Sequence, residues 1–322
     1  MPRRSLLTPV AERIVRQAIP GARVLANEPL VDGLRNSNFK LRLDRPPGTV
    51  VLRFYEHDAS LCQKELDLIR LLRGALPVAD VLHAESRGCE DLPPFVLLRW
   101  VDGHTFRELK RAGDREAIAQ AAHAIGQTLA AIGRFTFPKS GWIIPGPAVG
   151  APLLEGTDAM PRFVDLCLAT PNLRRRVPAD LRDGTRAAIW QWAPRLAGLE
   201  CETRLVHGDF NKRNTLVRCD EGRWTVAAVL DWEFAVSGTP LADVGNFLRY
   251  ERTARPIAEP HFSAGYRAAG GELPEDWRRL ARIVDLVALS ESLSREQLPD
   301  QVTAELVELV RATIEDRDPQ FQ

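Results

Sequence analysis

The chain has 322 residues, enough for two lobes with separate cores. Lys plus Arg and Asp plus Glu both number 43, so no net field favours nucleic acid or an acidic membrane surface. Five scattered cysteines without C-x-x-C spacing argue against a disulfide framework or a zinc site. No stretch approaches the roughly 20 apolar residues of a bilayer span, and the N-terminus lacks the apolar core of a secretory signal. The expectation is a cytoplasmic protein, monomeric or homodimeric, without nucleic-acid or membrane partners.

Residues 8–19 carry Val10, Ile14, Val15 and Ala18 on one helical face and stop at Pro20-Gly21, which predicts a short amphipathic helix. Strands are expected over 23–29, 37–43 and 49–54, with a break at Pro46-Pro47-Gly48. Residues 59–74 space Leu61, Leu66, Ile69 and Leu72 as a helix does, and 78–83 and 95–100 supply two more strands. This order predicts a small antiparallel sheet with one crossing helix. Beyond Val101-Asp102-Gly103 the pattern turns helical, over 115–135, 161–168, 178–199, 241–250, 261–269 and 277–298. Residues 138–158, rich in Pro and Gly, are predicted to be the longest irregular stretch.

One segment interrupts the helices. Residues 215–218 and 224–230 read as two strands around a turn at 219–223, so folding the hairpin brings Asn214 beside Asp231. Asp209 sits on the loop that feeds the first strand. Two carboxylates and a carboxamide at one hairpin mouth suit Mg²⁺ held together with phosphate oxygens and water. A spare carboxylate nearby suits the positioning of a hydroxyl nucleophile, which is the equipment of phosphoryl transfer.

The run His207-Gly208-Asp209-Phe210-Asn211-Lys212-Arg213-Asn214 is similar to the H-G-D-x-x-x-x-N loop of aminoglycoside phosphotransferase-like kinases. Asp231-Trp232-Glu233 stands where protein kinases carry Asp-Phe-Gly. The resemblance implies an α+β, bilobal protein-kinase-like fold: a β-rich nucleotide-binding lobe over 1–97, a hinge over 98–103, and a mainly helical catalytic and acceptor lobe over 104–322. It implies that Asp209 is the catalytic base or hydroxyl-orienting group, and that Asn214 and Asp231 hold Mg²⁺ on ATP, with GTP also admissible. Within it, Gly33, Ser37 and Asn38 of the first turn contact phosphate, and Arg53 is the basic residue of the third strand. Glu65 orients Arg53 by an ion pair, with Glu56 or Asp58 as competitors. Backbone groups from Leu98 to Trp100 meet the purine edge. Asp243 braces the catalytic loop, and His207 packs within it.

Between Asp231 and the helix carrying Asp243 there is no room for a phosphorylatable activation segment, so the expected acceptor is a small-molecule hydroxyl. Glu251, Glu259, Glu272, Glu275 and Asp276 are candidate walls for a polyamine such as an aminoglycoside. The function expected is a small-molecule kinase, with aminoglycosides and other antibiotics among its admissible acceptors. A nucleotide-binding pseudokinase or scaffold, and a metallohydrolase using His207 and Asp209, are the competing readings.

Overall fold

The computed structural model describes residues 6–30, 36–89, 92–154, 156–251 and 255–315. Helix α1 (Thr8–Ala18) leads into β1 (Val24–Leu30), β2 (Ser37–Leu43) and β3 (Thr49–Phe54); α2 (Ala59–Leu72) then crosses to β4 (Val81–Glu85) and β5 (Phe95–Arg99). The five strands form one antiparallel sheet in the order β1-β2-β3-β5-β4. Its two faces follow from the period-2 pattern. Phe39, Leu41, Leu43, Val50, Leu52 and Phe54 join Ala11, Ile14 and Val15 of α1 in one core. Val96 points the other way and joins Cys62 and Leu66 of α2.

The second lobe begins with β6 (His104–Thr105), α3 (Phe106–Ala112) and α4 (Arg115–Ile132). A hairpin of β7 (Gly141–Ile144) and β8 (Ala148–Val149) precedes α5 (Ala159–Ala169), α6 (Pro171–Arg176), α7 (Ala179–Gln191) and α8 (Ala193–Glu200). Next come β9 (Arg204–Val206), the hairpin β10 (Thr215–Asp220) and β11 (Arg223–Val229), a 3-10 turn (Trp232–Phe234) and β12 (Val236–Gly238). Helices α9 (Leu241–Leu248), α10 (His261–Ala268), α11 (Trp277–Ser294) and α12 (Asp300–Ile314) complete it. A single apolar core runs from Leu68 and Leu72 of α2 through α4 and α9 to α12, so α2 belongs to both lobes. Among the described residues no helix is long and apolar enough to cross a membrane.

Three expectations need correction. The helix over 178–199 is two, because the chain leaves the helical ladder at Trp192 and Pro194 opens α8 without needing an N–H donor. The stretch over 138–158 is irregular only in part: Trp142 N–H bonds to Ala151 O (2.9 Å) and Gly150 N–H to Trp142 O (2.9 Å), tying the β7–β8 hairpin. Helix α12 was missed although Leu306, Leu309, Val310 and Thr313 share one buried face. The pattern there resumes after Pro299, and the predicted helix ended at 298.

Candidate active site

The loop over 207–214 is shaped from both sides. Asp243, in the first turn of α9, accepts the backbone N–H groups of His207 (2.7 Å) and Gly208 (3.0 Å). Burial pushes its carboxyl up to about 6, against the pull of His207 and these two N–H groups. Gly208 takes φ +80°, and a Cβ there would stand 2.3 Å from Phe234 O, so only glycine fits. His207 Nδ1 accepts the Asp209 N–H (3.2 Å), which leaves Nε2–H to donate to Leu230 O (2.9 Å). The ring lies against Trp232 at 4.6 Å. A histidine with both nitrogens engaged this way braces the loop.

That bracing delivers Asp209 to its neighbours. Asn214 Nδ2 donates to both the carbonyl and Oδ2 of Asp209, each at 2.9 Å. Asn211 Nδ2 donates to Oδ1 (2.8 Å), and Asn246 of α9 approaches the same oxygen at 3.4 Å. The hairpin register pairs Thr215 with Val229, and Leu230 N–H bonds to Asn214 O (2.8 Å), which sets Asn214 beside Asp231. Asp231 adopts a left-handed backbone, φ +70°, a conformation that costs a non-glycine residue about 1 kcal/mol or more.

From the other lobe, Arg53 of β3 spreads its guanidinium over three partners. Nε donates to Asn38 Oδ1 (3.0 Å), Nη1 to both oxygens of Glu65 (2.8 Å each), and Nη2 pairs with Asp231 Oδ1 (3.1 Å). Burial opposes the charge, but Glu65 and then Asp231 hold Arg53 firmly protonated. Glu65, buried on α2, also accepts the Tyr55 hydroxyl and the Trp232 N–H (3.2 Å). Burial, followed by Glu65, raises the Tyr55 phenol well above its usual range, so it stays a donor. Glu233 accepts from Asn36 (2.8 Å) and is raised to about 7 by burial and then by Asp231. Lys64 donates to Glu233 O (2.8 Å); burial draws it down to about 8, against the attraction of Glu233, Glu65 and Asp58.

Gly33 lies outside the described residues. Ser37 gives its hydroxyl to Glu56 (3.0 Å), and Asn38 faces Arg53. Leu98 lies within β5, between Val51 and Val81. Trp100 gives its backbone N–H to Thr49 O (3.3 Å) and its indole N–H to Asp102 (2.9 Å), with Lys40 over the ring at 4.1 Å. The next backbone N–H along this segment, that of Val101, has no partner among the described residues.

Three of the five carboxylates expected to wall a polyamine site are engaged by other side chains. Glu251 is buried between Lys110 (2.6 Å) and Lys212 (2.5 Å), Glu259 accepts from Ser263 (2.8 Å), and Asp276 is held by Arg195 (2.7 Å). Those three met partners that composition could not reveal, whereas Glu272 and Glu275 are exposed. Asn36, Tyr55, Lys64, Glu233 and Asn246 were missed. Tyr55 and Asn246 had signals, one two residues beyond Arg53 just past the end of β3 and the other three beyond Asp243 on the same helix.

The oxygen donors fit a hard cation. Asn214 spends its amide N–H on Asp209, and its Oδ1 accepts no hydrogen bond among the described residues. Asp231 Oδ1 is buried and, despite the nearby Arg53, receives no well-aligned hydrogen bond. No group of three His, Cys, Asp or Glu among the described residues forms a metal site, so phosphate oxygens and water would complete the shell.

The sequence profile of the phosphotransferase enzyme family matches residues 27–283. Acyl-CoA dehydrogenase family member 10 of Mus musculus is 28% identical over 214 residues; the match takes in 62% of this chain but only 17% of the mouse protein. A thermostable mutant of aminoglycoside phosphotransferase APH(4)-Ia, in complex with ADP and hygromycin B, is similar with a TM-score of 0.67 at 19% identity, over 96% of this chain and 99% of that one. The GDP complex of wild-type aminoglycoside 2'-phosphotransferase-IIIa gives 0.69 at 16% identity, over 97% and 100%. At these identities the likeness is one of fold.

Proposed function

Because the chain belongs to the phosphotransferase enzyme family, we propose that it is a Mg²⁺-dependent small-molecule kinase transferring the γ-phosphoryl group of ATP, or GTP, to an alcohol. The observation that carries this reading is the meeting of Asp209 and Asn214 with Asp231 below the Arg53–Glu65 pair. Arg53, always charged, grips phosphate from the β-rich lobe in a fork held by Asn38 and Glu65. Asn214 Oδ1 and Asp231 would hold Mg²⁺, which neutralises charge on the phosphate oxygens when bound. Asp209 orients the acceptor hydroxyl and takes its proton as the acceptor oxygen bonds to the γ-phosphorus and the bond to the nucleoside diphosphate breaks. The purine edge meets the chain at 98–101, where the N–H of Val101, without a partner among the described residues, is the available donor.

Coupled nucleotide turnover tests the reading, with ATP and GTP, with and without Mg²⁺, over a panel of alcohols. The panel includes aminoglycosides, because hygromycin B and kanamycin accompany structural neighbours. Mg²⁺-dependent turnover stimulated by an alcohol is expected. Tight nucleotide binding with no turnover on any alcohol would instead mark a nucleotide-binding scaffold.

A further inference from the structure

A cavity of about 430 Å³ opens beside the turn that follows Asp231, between the first turns of α2, the β7–β8 hairpin and the end of α11. That volume suits a small organic ligand. One wall is apolar. Trp142 and Ile144, alternate residues of β7 and therefore on one face, are 47% and 44% exposed, and Pro145 extends them. The wall is fixed in place, since Gly146 N–H bonds to Asp67 of α2 at 2.8 Å.

Most charged groups around the cavity are already engaged. Arg295 places two nitrogens on Glu291 (2.9 and 2.6 Å), Asp58 accepts from the Ser60 N–H and hydroxyl at the start of α2, and Glu233 holds Asn36. His57 is exposed at the rim. Lys64 differs. It is 5% exposed and, among the described residues, makes one hydrogen bond, to Glu233 O, and has no carboxylate within 4.0 Å. Two of its three ammonium N–H groups are therefore without a partner among the described residues, and a buried donor left unmet is costly. Water or an anion must answer them.

We propose that this cavity holds the phosphoryl acceptor, and that the acceptor is an alcohol with an apolar body and a carboxylate end. The body lies on Trp142 and Ile144, and the carboxylate meets Lys64. The word acceptor rests on the kinase reading above; the preference for an anionic, apolar ligand does not.

Three probes of near-equal shape separate these points: 4-(hydroxymethyl)benzoate, 4-(hydroxymethyl)benzylamine and benzyl alcohol. In titration calorimetry without nucleotide, the benzoate is expected to bind at least tenfold more tightly than the other two. Lys64→Met abolishes that preference, and Trp142→Ala, an exposed position outside the core, weakens the benzoate several-fold while Mg-nucleotide affinity is unchanged. Equal binding of the three probes, preference for the amine, or undiminished benzoate affinity in both variants would overturn the proposal. In turnover assays the benzoate is expected to be the preferred acceptor of the three. Turnover on other alcohols without a carboxylate preference here defeats this proposal alone. Benzoate binding with no turnover on any alcohol defeats the kinase reading and the acceptor role together.

Discussion

Arg53 shows how much the identity of one residue matters. Its fork reaches Asn38, Glu65 and Asp231 at once, which a lysine ammonium at the end of a flexible stem does not reproduce. Hydrogen bonds between charged groups contribute about 1.5–3 kcal/mol each, so Arg53→Lys is expected to raise the nucleotide KM roughly tenfold or more. Steady-state kinetics at saturating acceptor measures this, and an unchanged KM would remove Arg53 from phosphate binding. Asp243 makes a different kind of case. Its carboxyl is raised from 3.8 to about 6 in the folded chain, so the native state binds the proton more tightly than the unfolded one. This group's contribution to stability is therefore full below about pH 4 and lost as pH rises towards 6. Asp243→Asn removes that slope and, with one acceptor oxygen in place of two, leaves the His207 or Gly208 N–H unmet at a cost of about 1–3 kcal/mol. Chemical denaturation of both proteins at pH 4.5 and 7 checks it. The expected result is a variant deficit larger at the lower pH; equal deficits would assign the shift elsewhere. Asp209, Asn214 and Asp231 were legible because their loop is short and sequential. The partners of Glu251 and Glu259 were not legible, since burial and pairing depend on the packed chain.

At the level of elements, local periodicity served well wherever the neighbours were local. The β10–β11 hairpin and a small antiparallel sheet with one crossing helix follow from alternation and turn residues, and the structure has both; the strand order β1-β2-β3-β5-β4 entered only with the structure. Two-residue strands such as β6 and β8 carry too little pattern to read, and the β7–β8 hairpin is defined by bonds between segments that look like loop. Helix crossings were equally hidden. Helices α4 and α10 meet so closely that a Cβ on Gly126 would stand 2.0 Å from Phe262 O, and one on Gly265 2.0 Å from His123 O. Both glycines sit inside helices, where glycine costs about 0.5–1 kcal/mol relative to alanine, so the contact explains a residue that propensity alone disfavours. Gly126→Ala is expected to lower Tm by several degrees rather than raise it. Thermal unfolding decides, and a stabilised variant would mean that the helices do not cross this closely.

Across the whole molecule, side-chain bonds tie the two lobes together at α2 and at Asn36, just before β2. Arg53 reaches Asp231, Asn36 reaches Glu233, Lys64 reaches Glu233 O, and Asp67 receives Gly146 N–H. Contacts between residues 169 or 197 positions apart cannot be read from local pattern, which is why Asn36, Lys64 and Glu233 entered only with the structure. The seam assembles the Arg53–Glu65 pair without a phosphorylated segment, and activity is expected in protein that has never met a kinase; expression in a kinase-free system measures this. The central claim divides the work at this seam, giving Asp209 to the hydroxyl and Asp231 to the metal-bound nucleotide. Calorimetric titration of Mg-ATP into the wild type, Asp209→Ala and Asp231→Ala tests that division. The expected result is near wild-type affinity for Asp209→Ala, with transfer reduced about 10²-fold or more, and at least tenfold weaker binding for Asp231→Ala. Equal loss of binding in both variants would contradict it.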